Sequence, residues 1–292
     1  MELSPTLQEF LRAMTLFGWI WIIPVVERLI PMHGQKLFRP GIINDLVHTY
    51  HPIHLWSFAA ASLSAWLAAW AQNNVGQTLP LQGVLADAHW ATSLVAVFLM
   101  GHFTFYGFHW LSHKIPLLWE FHRVHHSSLN LDSFSTSRFH IFDKFLFAAP
   151  YLCLVTYFQP DPGTAFLYIS FRDFWGRYGH ANIRDPHWLG YFMSNPKFHR
   201  WHHSNNPEAI DKNFSAEFNF LDYLFGTAYY PDEGMPENFG EADYSNNILI
   251  QHYRPFQEIY KIAKRDGIMA LFRKPRPISS KPAGDELKAV HE

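Results

Sequence analysis

The chain is short of charge and of cysteine. Asp, Glu, Lys and Arg make up only 16% of its 292 residues, and the formal net charge is −2 with histidine neutral. Soluble domains carry about 25% charged residues, so the deficit argues against a freely solvated globule. The near-neutral balance gives no basis for nucleic-acid binding. The single cysteine, Cys153, excludes an internal disulfide and suits a reducing or membrane-buried setting. There is no GxGxxG turn to cradle a dinucleotide and no CxxC pair to hold an iron–sulfur cluster. The opening residues, MELSPTLQEF, lack a basic stretch, so no cleaved signal peptide is expected. With no internal repeat, low-complexity tract or linker-like stretch, 1–292 reads as a single domain.

Apolar residues (48%), aromatics (17%) and 19 histidines are abundant instead, and they are segregated along the chain. A first apolar run is uncharged only from Ala13 to Val26, before Glu27 and Arg28, which is short for a span and predicts a tilted or interfacial helix. Leu55 to Gln72 and Ala88 to Trp110 contain no Asp, Glu, Lys or Arg, and both predict transmembrane helices. Two shorter arms follow, Phe145 to Phe158 and Thr164 to Phe171. The turn Gln159-Pro160-Asp161-Pro162-Gly163 between them predicts a helical hairpin, tilted across the bilayer or re-entrant. Loop cations orient the spans: Lys36 and Arg39 precede them, none lies in 73–88, and Lys114, Arg123 and Arg138 follow. The excess of cations on cytoplasmic loops then puts the region after Trp110 in the cytoplasm and 73–88 outside. From about Asp185 the chain is polar. Residues 255–292 begin as a basic amphipathic helix suited to an anionic membrane surface and lose periodicity towards disorder. The expected fold class is all-α: a multi-pass integral membrane helical protein with a cytoplasmic, histidine-rich helical cap.

The histidines fall at ligand spacing. His109 and His113 are four apart; His122, His125 and His126 follow as HxxHH; His199, His202 and His203 repeat it. On a helix such positions share a face, and neutral imidazole offers one metal-binding nitrogen. Eight imidazoles exceed the roughly four to six ligands of one ion, so two metals are implied. Nitrogen ligands alone suit zinc or copper as well as iron. His33, His48, His51, His54 and His89 lie upstream, most of them near predicted helix ends at the membrane interface, and His187 and His252 have no partner at useful spacing; all seven read as structural. His102 is two turns before His109 on the same face. The interleaved Trp110, Trp119, Phe121, Phe198 and Trp201 read mainly as packing, with a water-excluding wall as their added use.

These boxes sit in longer motifs: FYGFHWLSHKIPLLWEFHRVHHSS from Phe105, SRFH ending at His140, GHANI from Gly179 to Ile183, FHRWHHSNNPEAIDKNF from Phe198, and FLDYLFGT ending at Thr227. From about 105 to 227 they resemble the fatty acid hydroxylase superfamily, the sterol desaturase-like membrane di-iron oxygenases. The resemblance implies two iron ions, with His109, His113, His122, His125, His126, His199, His202 and His203 as ligands and His180 of GHANI as a lone further ligand. His140 is implied as a tenth ligand or a supporting donor, and His102 stands where the family often has an acid. Related fatty acid 2-hydroxylases carry a histidine four residues before the GHANI histidine; here it is Gly176, so a water, an amide side chain or His140 is expected to complete the coordination. Asp211 and Asp222 are the carboxylates expected to orient ligands, with Asn182, Asn213 and Glu120 as further candidates.

The activity implied is O₂-dependent hydroxylation or desaturation of an unactivated C–H bond in a lipid such as a fatty acyl chain, sterol or carotenoid. Electrons would come from a separate cytochrome b5-type or ferredoxin-type donor with its reductase, since no fused haem domain or bound nucleotide is expected. The host membrane would be a bacterial inner membrane or the endoplasmic reticulum. Acyl-lipid desaturases have similar boxes, but DKNF and FLDYLFGT favour the hydroxylase-like group. A non-enzymatic membrane metal-binding or transport protein would instead string its histidines along the spans.

Overall fold

The computed structural model describes residues 18–50, five helical residues between 62 and 70, and residues 81–236, 238–241 and 244–273. Among them all regular structure is helical, with isolated bridges and no strand. After a helical stretch over 18–29 come α1 (Ile42–Tyr50), α2 (Trp90–Lys114), α3 (Pro116–His126), α4 (Ile141–Phe158), α5 (Pro162–His180), α6 (Pro196–His203), α7 (Phe220–Leu224), α8 (Ile248–Asp266) and α9 (Ala270–Arg273). Those five residues aside, the expected span Leu55–Gln72 lies outside the described residues, as do 13–17 and 73–80.

With 25 and 18 residues, α2 and α4 are long and apolar enough to cross a bilayer. The α4 length corrects the shorter arm from 145 to 158. His140 caps the helix, its Nδ1 accepting from the Phe142 amide at 3.1 Å, and so starts it four residues earlier. The second arm likewise runs past Phe171 to His180. Arg172, the charge that ends its apolar run, is neutralised: the guanidinium lies 3.6 Å over the Phe105 ring and 3.1 Å from the Glu217 carboxylate. Between the arms Gln159 takes a left-handed φ of 56°, and Asp161 caps α5 by accepting from the Thr164 amide at 2.9 Å. Both arms lie on α2, where Val97, Tyr151, Ala165 and Tyr168 form a buried cluster. The approach is close at Gly101, where a Cβ would sit 2.1 Å from the Tyr168 ring.

The turn from α2 into α3 sets up the site. A residue before proline is pushed out of the helical region. Ile115 is accordingly extended, at φ −103° and ψ 115°, and Pro116 opens α3, where its missing N–H costs nothing. This single extended residue folds α3 back beside α2. The His109 and His122 rings meet at 5.0 Å, and those of His113 and His126 at 4.8 Å.

Buried charges tie the N-terminal part to this frame. Arg39 bridges Asp45 at 2.7 Å and Asp132 at 2.6 Å, and Arg138 reaches Asp45 at 2.6 Å, with every side chain 3% exposed or less. Arg39 and Arg138, counted above as loop cations, are therefore interior struts. Glu27 is fully buried too, accepting from the Ser133 amide and hydroxyl and from the Asn182 amide at 2.7–2.8 Å. It fastens the 18–29 helix to the loops around the site and leaves Trp21, Val25 and Leu29 outward.

Candidate metal centre

The nine histidines singled out in the sequence converge. They form two buried groups whose ligand nitrogens lie within 4.8 Å of one another: His109, His113, His122, His126 and His202 in the first, His125, His180, His199 and His203 in the second. The grouping divides each HxxHH box. His122 and His126, four apart, serve the first group while His125 serves the second; on α6, His199 and His203 serve the second while His202 serves the first. All nine sit towards the C-terminal ends of α2, α3, α5 and α6. Helix C-termini carry partial negative charge, so four helix ends favour cations between them.

Hydrogen bonds set the tautomers. Nδ1 of His109 donates to the Phe214 carbonyl at 2.7 Å, that of His202 to the Lys212 carbonyl at 2.7 Å, and that of His180 to the Gly176 carbonyl at 2.9 Å. His125 gives its Nδ1 proton to the Arg138 carbonyl at 3.2 Å, His122 to the Asp143 carboxylate at 2.9 Å and His113 to the Asp211 carboxylate at 3.3 Å. These acceptors have no proton to give, so Nδ1 is the protonated nitrogen and, in the neutral ring, Nε2 is the one that carries the lone pair. The Nε2 atoms of His109 and His122 are buried without a hydrogen-bond partner. Others face one another: His125–His180 at 3.2 Å, His180–His199 at 3.3 Å, His199–His203 at 3.1 Å and His126–His202 at 3.1 Å. Two nitrogens about 2.1 Å from one ion and at right angles to each other lie roughly 3 Å apart. The donor set thus fits two metal ions, one per group. Burial, with neighbouring imidazoles second, holds His125, His126, His199 and His203 well below the usual histidine range, so the rings stay neutral and their lone pairs free at pH 7.

The other candidates divide. Asp211 meets His113 and also accepts from Lys114 at 2.9 Å. Asp222 acts one peptide away: it accepts from the amides of Phe214 and Ser215 at 2.8 and 2.9 Å and from the Thr227 hydroxyl at 2.6 Å, fixing the carbonyl that receives His109. Asn213, at φ 59°, grips the carbonyls of Phe198 and Tyr229 at 2.9 and 2.8 Å and so ties α6 to the following loop. Asn182 holds the His33 carbonyl at 2.8 Å.

His140 belongs to neither group. It caps α4 and its Nε2 donates to the His252 carbonyl at 3.1 Å, which removes it as the residue completing coordination opposite Gly176. His180 instead bonds to the Gly176 backbone and stands in a four-histidine set. His102 is also outside both groups; it pairs with Glu217 at 3.0 Å, a buried acid from 115 residues further along the chain. Glu120 lies 3.6 Å from Arg123 on the wall of a cavity of about 270 Å³, whose floor includes His113, His126 and His202. Asp143 is the carboxylate that motif reading missed. Its one signal was an acid in the first turn of a largely apolar helix.

Comparison with known proteins agrees with this geometry. The fatty acid hydroxylase family matches residues 94–227. The chain is 30% identical to the ornithine lipid hydroxylase OlsE of Rhizobium tropici over 244 residues, covering 80% of this chain and 72% of that protein. It is 27% identical to the alkylglycerol monooxygenase of Homo sapiens over 147 residues, covering 48% and 31% respectively. With the very-long-chain aldehyde decarbonylase GL1-4 of Oryza sativa subsp. japonica it shares 27% over 206 residues, covering 64% and 32%. The chain therefore spans about a third of the length of the latter two. No solved structure matches it. With a 30% identical relative covered over most of its length, and the boxes inside the matched segment, this chain belongs to the fatty acid hydroxylase family.

Proposed function

We propose that the protein is a membrane-embedded di-iron oxygenase that hydroxylates or desaturates an unactivated C–H bond of a lipid. The observation that carries the reading is the convergence of nine buried imidazoles into two adjacent sets at the end of an apolar helix. In this reading His109, His113, His122, His126 and His202 hold one iron, and His125, His180, His199 and His203 hold the other. The iron pair, when bound, supplies the activation of O₂ that C–H cleavage requires. The protein's own part is positional. Asp143, Asp211 and the carbonyls of Phe214, Arg138, Gly176 and Lys212 keep Nδ1 protonated on six of the nine histidines, so those six need no change of tautomer to bind. Phe105, Phe139, Phe147 and Phe214 pack against the ligand rings and exclude water from one side.

The named hydroxylase and monooxygenase relatives support a lipid substrate, and so does a site reached from apolar helices. The loop cations that remain once Arg39 and Arg138 are set aside, Lys36, Lys114 and Arg123, support a cytoplasmic position for the histidine-rich cap, facing a soluble or membrane-bound cytochrome b5-type or ferredoxin-type donor. The fixed Nδ1 bonds favour a permanent site over a transport pathway. The test is turnover by the purified, iron-loaded protein in lipid with a reductant and O₂. Lipid products heavier by one oxygen, or lighter by two hydrogens, are expected, with reductant-dependent O₂ uptake. Failure to oxidise any lipid fraction from the host, with both irons bound, overturns the reading.

A further inference from the structure

The C-terminal helix has an unpartnered face that the catalytic reading leaves unused. Along α8, Leu249, Tyr253, Phe256 and Tyr260 fall at i, i+4, i+7 and i+11, one stripe of a helix. They are 76%, 62%, 46% and 64% exposed. Ile268, Met269 and Phe272 extend the exposed apolar surface through α9. The other side of α8 faces the protein, with Gln251 and Pro255 buried and Gln251 bonded to His48 at 2.7 Å. Exposed rows of large aromatics and aliphatics mark a surface that something covers.

Charge and position identify the occupant. From Ile248 to Arg273 the cations are Arg254, Lys261, Lys264, Arg265 and Arg273 and the acids are Glu258 and Asp266; five against two leaves +3. At about 100° per residue, Lys264 stands roughly 20° from the edge of the stripe, and Lys261, Arg254 and Arg265 follow on the same side, roughly 80° to 120° from it. The Lys264 ammonium lies 5.9 Å over the Tyr260 ring. The stripe also continues the surface of a candidate span. Phe256 packs 5.9 Å from Phe142, which is 49% exposed in the first turn of α4. A second copy of the chain, stripe against stripe, would set these cations against their own kind.

We propose that α8 and the residues through Arg273 lie in the membrane interface, with the aromatic stripe at the acyl boundary and the flanking cations on anionic lipid headgroups. Ile262, on the inner side of α8, lines the cavity above the first histidine group together with Glu120 and Arg123. A helix held in the interface sets that cavity at headgroup depth. The placement beside α4 rests on the reading that α4 spans the bilayer.

The test uses the full chain in nanodiscs of phosphatidylcholine, with and without phosphatidylglycerol. In a Cys153→Ala background, single spin labels are introduced by Tyr253→Cys, Tyr260→Cys, Glu258→Cys and Leu99→Cys, and collisions with O₂ and with a water-soluble nickel chelate are compared. Labels at 253 and 260 should favour O₂ several-fold over the label at 258, and more so with phosphatidylglycerol. Lys261→Glu, Lys264→Glu and Arg265→Glu combined should remove that extra gain. Nickel-accessible labels at 253 and 260, or identical ratios in the two lipids, overturn the proposal. So does dipolar broadening between labels on two copies, or protection that arises only on adding an acidic soluble protein. A nickel-accessible label at 99, in the middle of α2, would sink the spanning reading while the α8 labels still decide this one.

Discussion

His125 and His180 aim Nε2 at Nε2 across 3.2 Å, although each already gives its Nδ1 proton to a carbonyl, that of Arg138 or of Gly176. Neither nitrogen has a proton for the other, so the pair is repulsive unless a cation lies between the two lone pairs. The prediction is specific to the second group. His180→Ala, and equally His125→Ala, should lower the metal content of the purified protein from two ions per chain to one, as read by elemental analysis. Retention of two ions in His180→Ala would show that the GHANI histidine is not a ligand.

Asp143 should act on the other group. Its carboxylate takes the Nδ1 proton of His122 at 2.9 Å, with both side chains 1% exposed. Loss of such a partner typically costs about 10–100-fold in metal affinity. Asp143→Asn should therefore weaken one metal by about that factor in a chelator competition while leaving the other unchanged. Equal weakening of both would mean that the substitution loosens the whole helix frame.

How far the site was legible depended on the chemistry of each part. Imidazoles at i, i+3 and i+4 betray themselves, because a packing helix would put apolar residues there, and eight of the nine were visible that way; His180 stands alone and was reached only through the resemblance of GHANI. Their division was not. One box feeds two groups because α2 brings His109 and His113 to the first and α5 brings His180 to the second, a tertiary fact that spacing alone does not contain. Four of the Nδ1 acceptors are backbone carbonyls, which any residue type supplies, so no side-chain code announces them. Arg39 and Arg138 read as loop cations because their partners Asp45 and Asp132 are distant in sequence or unremarkable alone. The apolar arms that became α4 and α5 were visible in outline. Their true ends depended on a His140 cap and on Glu217 neutralising Arg172.

Gly101 tests the packing of the hairpin on α2. A methyl group there would sit 2.1 Å from the Tyr168 ring, inside any tolerable contact. Gly101→Ala should destabilise by about 1–3 kcal/mol, the usual range for overpacking, measured as a loss of thermal stability in detergent. Tyr168→Ala in the same chain should recover part of the loss. Its absence would place the conflict elsewhere on α2.

The lack of Lys and Arg in 73–88 makes the proposed sidedness testable. An accessible tag at residue 78, in the segment 73–88 without Lys or Arg, and one at the C-terminal end should be labelled from opposite faces of the membrane, the second from the cytoplasm. Labelling of both from one face would mean an odd change in the number of crossings between them.

The buried ion network should couple α1 to the second metal. Asp45 holds Arg39 and Arg138 at once, and the Arg138 carbonyl is the acceptor that orients His125. Asp45→Asn leaves two interior guanidiniums short of an anion, and breaking a buried pair from one side costs about 3–5 kcal/mol. A large fall in stability is therefore expected. Because the Arg138 backbone is then less well held, the metal at His125, His180, His199 and His203 should be lost to a chelator before the other. Arg138→Met added to Asp45→Asn removes the charge left on that side, while Arg39 keeps Asp132 at 2.6 Å. The double variant should regain part of the stability without regaining the tight second metal, if the guanidinium's grip is what positions the carbonyl. Recovery of both together would show that stability alone governs the site, and that Arg138 has no separate orienting role.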